Sequence, residues 1–180
     1  MIAALWLREQ LAPHEFELVD LYINKMYDKF IRPIEFKEQE QGLYQMANGG
    51  LSILIYASWM NDKDLAAEEI KFRFKELNRI IFSDGYIDNN SFRGVRSQWY
   101  HSYGLDIALG YVYIADLWGA ETPETLHYKL VNSGKIANLA ITDWQKFKSR
   151  KFTGPNRNAL KGKEHAIKHT NQMAISIDKL

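Results

Sequence analysis

Apolar residues recur along most of the chain at steps of three and four, the period of a helix that turns one face to a core. Residues 2 to 11 predict a first helix ending near Pro13. Phe16, Val19, Ile23, Tyr27 and Phe30 mark a second, from about Glu15 to Ile31, which stops before Pro33. Both are amphipathic. The pattern then changes: "LSILIYASWM" at 51–60 is apolar on nearly every side, whereas 64–81 carries one stripe of Leu65, Ile70, Phe74, Leu77 and Ile81 with charges opposite. A helix buried all round is thus followed by a surface helix. "GLDIALGYVYIADLWG" at 104–119 repeats the first kind. A surface helix with Thr122 as N-cap, Pro123 at the first helical position and Glu124 in the first turn repeats the second. Residues 135–152 predict another helix, "TGPN" at 153–156 breaks it, and a short last helix is expected over about 159–176. No stretch reads as a strand.

An inner helix followed by an outer one, twice over, predicts an all-α fold, a partial (α/α) toroid, although a buried bundle would give a similar pattern. The long connections fall at 37–50 and 82–103, and long loops on a rigid helical frame are where sites tend to sit. Within the first of them, Asn48-Gly49-Gly50 reads as a break.

Composition narrows the function. A chain of 180 residues, 46% of them hydrophobic, suits a single domain over 1–180. Without cysteine, disulfides and thiolate metal sites are excluded. The N-terminal apolar stretch has no basic region before it and no small-residue cleavage site, so it reads as a helix and not as a signal peptide. No apolar run approaches membrane-spanning length, and no membrane partner is expected.

The net charge of +1 conceals a strong asymmetry: residues 1–145 hold 14 Lys/Arg against 20 Asp/Glu, and residues 146–169 hold 8 against 1. That basic C-terminal segment should attract a polyanion, or else lie solvated or against the acidic remainder.

One stretch concentrates candidate chemistry. In "SFRGVRSQWYHSYG" at 91–104, Arg93, Arg96, Tyr100 and Tyr103 share one face if the segment is helical. A guanidinium and a phenol two turns apart, roughly 10 Å of rise, can close on one ligand. Such a pair can neutralise a carboxylate and move a proton. The plainer reading is that these arginines stack on rings and pair with Asp84, Asp88 or Asp106. Trp99 adjoins the stretch and could stack a sugar ring, whereas Trp59, Trp118 and Trp144 read as core. His165 and His169 stand four apart without a third ligand, and His14 and His127 stand alone, so neither a metal site nor a cofactor is expected.

Residues 84–119 resemble the segment of the mannuronate-type alginate lyase family that carries an Arg-Gly-x-Arg-x-x-x-Tyr-His pattern after an Asp-Gly turn and before an apolar inner helix. Asp84, Gly85, Arg93, Gly94, Arg96, Tyr100, His101 and Leu105 carry the match. The resemblance implies an incomplete (α/α) toroid and β-elimination on an acidic polysaccharide. It implies Arg93 as carboxylate clamp, Tyr100 as proton carrier, Arg96 and His101 as support, and a periplasmic or secreted location. The family also places an Asn-His pair near the start of an earlier inner helix. The matching region here has no histidine, and Gln45 or Asn48 would supply an amide to the carboxylate. The match falls on the later half of the family's domain, so self-association or a partner chain completing the toroid is an expectation. The rival expectations are a non-catalytic helical module binding a polyanion through 146–169, with nucleic acid the weaker candidate, and an inactive fragment of a lyase.

Overall fold

Two helices that are apolar nearly all round lie side by side, and each is covered by the surface helix that follows it. The computed structural model describes residues 1–33 and 43–150, the stretch 43–49 by its backbone alone. Its α-helices are α1 (Ile2–Leu7), α2 (Pro13–Met26), α3 (Leu43–Met60), α4 (Lys63–Ile80), α5 (Ser97–Leu117), α6 (Glu124–Thr142) and α7 (Trp144–Ser149). The described residues form no strand; an isolated antiparallel bridge joins Ile81 to Ile87.

Helix α3 packs on α5, α4 on α3, α6 on α5, and the two outer helices on each other. Leu54 and Ala57 of α3, Leu77 of α4, Leu105 and Ala108 of α5 and Leu126 of α6 are buried in one continuous core. Each leucine contributes about 1.5–3 kcal/mol by leaving water. An open groove is lined by Lys63, Ala66 and Lys71 near the start of α4 and by Trp118 to Glu121 just after α5. The carboxyl end of α5 therefore lies beside the turn between α3 and α4, and the two inner helices run in the same direction.

Several sequence expectations are corrected. The first helical stretch ends before Pro13 as expected, its last turn Arg8–Gln10 being 3-10, but α2 opens at Pro13 itself and not at Glu15. Proline suits the first helical position, and the Ala12 backbone N–H is met by the Glu15 carboxylate at 2.8 Å. Asn48-Gly49-Gly50 is no break, because α3 runs through it. A Cβ at Gly50 would stand 2.5 Å from Glu69 Oε1 and 2.8 Å from the Tyr111 ring. The missing side chain is what lets these groups approach. Helix α5 begins at Ser97, so the connection after α4 is shorter than expected. Pro123, not Thr122, precedes the first residue of α6. Residues 135–142 continue α6, and the break comes at Asp143, whose carboxylate accepts the Lys146 N–H at 3.0 Å and so caps α7. The break at 153–156 and the helix at 159–176 lie outside the described residues.

The charges of α4 are not all opposite its apolar stripe. Arg73 is fully buried and donates to Glu69 at 2.8 Å, with the Tyr111 hydroxyl donating to the same carboxylate at 3.4 Å. Burial pushes the Glu69 carboxyl up to about 8 and the Arg73 guanidinium down to about 10.

Candidate functional site

The segment between α4 and α5 is built as a small clasp. The Ile81–Ile87 bridge closes a turn in which Phe82 N–H donates to Tyr86 C=O at 2.8 Å and Gly85 N–H to Phe82 C=O at 2.9 Å. Gly85 adopts φ +89°, and a Cβ there would stand 2.4 Å from the Asn132 carbonyl carbon. Only glycine allows the turn to lie directly on the backbone of α6. Asn132 Nδ2 fastens it from that side by donating to Ser83 C=O at 3.0 Å.

Arg150, the last described residue, holds the turn from the other side. Its guanidinium carbon is 4.8 Å from the ring centroid of Phe82, 5.1 Å from that of Tyr86 and 5.3 Å from that of Phe92, and its Nε reaches Asp84 Oδ2 at 2.6 Å. Asp84 thus pairs with Arg150 and not with Arg93 or Arg96. The Tyr86 hydroxyl donates to Phe147 C=O at 2.8 Å. The root of the basic C-terminal segment is fastened to the residue next to Arg93.

Beyond Phe92 the chain enters the 3-10 turn Gly94–Arg96 through Arg93, and then α5. Gly94 takes φ +59°, which folds the turn back far enough for Arg93 to reach its helix. The Arg93 guanidinium carbon lies 4.4 Å from the Tyr100 ring centroid, and its Nε donates to Asn89 C=O at 3.3 Å. Buried Asn90 donates to Tyr100 C=O at 2.9 Å and pins the first turn of α5 to the loop. Trp99 lies 4.7 Å from Tyr100 and stacks on Tyr103 at 6.1 Å, centroid to centroid. Arg93, Trp99, Tyr100 and Tyr103 form one half-buried strip of a cation and three rings. Such a strip can neutralise a carboxylate, stack a sugar ring and exchange a proton with a bound group. Arg96 is half-buried at the end of the 3-10 turn.

His101 is corrected from a ligand-facing support to a core residue. Its ring is fully buried between Ser91 Oγ, 2.8 Å from Nδ1, and Ser133 C=O, 3.0 Å from Nε2. The carbonyl can only accept, so Nε2 carries the proton and Nδ1 accepts from the serine. Burial pushes the imidazole down to about 4. The side chains of Gln45 and Asn48 lie outside the described residues, as do His165 and His169; backbone alone places the first two on α3.

Sequence reasoning missed Asn90, Arg150 and the Glu69–Arg73–Tyr111 cluster. The last left a signal: Glu69 and Arg73 are spaced i,i+4, opposite a glycine in an otherwise apolar helix. Among the described residues no three His, Asp or Glu side chains are grouped as a metal site, and no helix is long and apolar enough to cross a membrane. Comparison with family models, with curated proteins and with solved structures gave no match, so the chemistry of this site is read from its own geometry.

Proposed function

We propose that the chain is a polysaccharide lyase of the alginate lyase type, cleaving an acidic polyuronate by β-elimination on a partial (α/α) toroid. The observation that carries this reading is the Arg93 guanidinium 4.4 Å from the Tyr100 ring centroid, beside the rings of Trp99 and Tyr103. Arg93, supported by Arg96, pairs with the uronate carboxylate. The charge that develops when the C5 proton leaves is then shared with a planar cation. The Tyr100 phenolic oxygen takes the C5 proton, the electron pair forms the C4=C5 double bond, the C4–O bond breaks, and the same oxygen returns the proton to the leaving oxygen. Trp99 offers a face to a sugar ring. A polyuronate of this kind places the protein in the periplasm or outside the cell.

The test is incubation of the purified chain with polymannuronate, polyguluronate and polyglucuronate while ultraviolet absorbance from the unsaturated product is followed. The proposal expects a signal on at least one polymer that Tyr100→Phe removes. Silence on all three from folded protein overturns it.

A second reading, a non-catalytic module that binds a polyanion through residues 146–169, is favoured by the charge of that segment and by the anchoring of its root through Arg150. It expects polymer binding that Arg93→Ala and Tyr100→Phe leave intact and that removal of the segment abolishes.

A further inference from the structure

Helix α2 is held to the rest of the chain along a narrow line. Phe16 stacks on Trp59 at 5.3 Å, the Trp59 indole donates to Asp20 at 2.8 Å, and the Tyr56 hydroxyl donates to Asn24 at 2.7 Å. Of its fourteen residues only Ile23 is buried. The opposite face carries Leu18, Leu21 and Tyr22 at helical spacing, exposed by 67%, 52% and 63%. Helix α1, a short turn away, exposes Trp6 by 80%. At about 200 Å² for each side chain, the three residues of α2 leave on the order of 350 Å² of largely apolar surface in water. That is the size of the largest apolar patch on a typical monomer, which is often functional, and nearly half of the roughly 800 Å² a partner contributes to a stable interface.

The charges bordering this stripe say what covers it. Glu15 and Glu17 stand exposed in the amino half of α2, and exposed Lys25 stands in its carboxyl half, followed by exposed Asp28, Lys29 and Arg32, so the amino end is acidic and the carboxyl end is net basic. A second α2 laid antiparallel brings each acidic end against a basic one, with Leu21 and Tyr22 at the crossing; a parallel one opposes like charges. An antiparallel pairing of identical helices has a two-fold axis, so each contact occurs twice and the assembly closes at two chains. Glu15 is engaged with the Ala12 N–H, which leaves Glu17 as the freer partner for Lys25.

We propose that α2 is a self-association surface: a second copy of this chain covers Leu18, Leu21 and Tyr22, with the two α2 helices antiparallel and Glu17 of each facing Lys25 of the other. The proposal is independent of the reaction assigned above. Light-scattering molar mass of the full chain at about 100 µM, far above a micromolar Kd, tests it. The expected result is a dimer that Leu18→Glu converts to a monomer of unchanged helical circular dichroism. Glu17→Lys and Lys25→Glu should each raise the dimer Kd about tenfold or more, because each creates two like-charge contacts. Mixed in equal amounts, these two variants should associate as tightly as the parent, since each supplies the charges the other lacks. A monomeric parent overturns the proposal, as does a dimer that survives Leu18→Glu. A mixture no tighter than its components overturns the antiparallel pairing, which no general loss of folding can mimic.

Discussion

His101 is neutral because its neighbours make it so. A carbonyl demands its one proton, a serine fills the other nitrogen, and water cannot reach either. Its pKa is near 4 in the folded chain against 6.5 when exposed, so between these values the unfolded chain binds more protons and stability falls as pH falls. Glu69, raised to about 8, acts in the opposite sense between its ordinary value and that one. A comparison of variant with parent separates the two. His101→Gln keeps a donor and an acceptor. Its stability deficit relative to the parent, read from urea unfolding, should shrink by on the order of 3 kcal/mol between pH 7 and pH 4. A constant deficit refutes the assignment.

At the candidate site, Tyr100→Phe should lower turnover by about 10²–10⁴-fold with little effect on folding, because the ring and its stacking on Arg93 remain. Arg93→Ala should cost about 10²–10³-fold and also weaken substrate binding. Steady-state rates on the responsive polymer check both. The sequence spacing of Arg93 and Tyr100 pointed to their meeting but not to its cause: Arg93 stands outside α5, and the positive φ of Gly94 in the 3-10 turn folds it back onto the Tyr100 ring. It could not place His101, adjacent to Tyr100, because one residue along a helix turns a side chain by about 100° and from the surface into the core.

At the scale of elements, the inner and outer helices were legible because apolar coverage differs so plainly between 51–60 and 64–81, and between 104–119 and 124–142. The misread boundaries share one cause: a cap or a breaker has two sides. Pro13 reads equally as a stop for α1 or a start for α2, and the Glu15 capping contact decides it. Gly50 has the letter of a turn and the position of a close contact. Gly50→Ala should destabilise the fold by about 1–3 kcal/mol, where an ordinary helical glycine would gain from the change, because the new methyl group meets a buried carboxylate and a ring. Asp62 caps α4 by accepting the Leu65 N–H at 3.0 Å, and Asp62→Ala should cost about 1 kcal/mol. Thermal or denaturant unfolding measures both.

For the molecule as a whole, the asymmetry of charge was visible in the sequence, while the anchoring of the basic segment was not, since Arg150 lies 66 residues from Asp84. Arg150→Ala should destabilise the chain by about 1–2 kcal/mol, chiefly through loss of three ring contacts, because the ion pair itself is substantially exposed. Raising the salt concentration at fixed pH should leave most of that difference in place; a difference that disappears would assign it to the ion pair instead.

The common direction of α3 and α5 has a consequence for any anion that arrives. Their first turns lie at the same end of the molecule, and Tyr100 stands in one of those turns. The aligned peptide dipoles of each helix present about half a positive elementary charge there. Each is a partial charge that no side-chain substitution removes and no change of pH titrates. The framework itself therefore contributes to the field at Tyr100, and a carboxylate would still be drawn to that end of the molecule after Arg93 had been replaced.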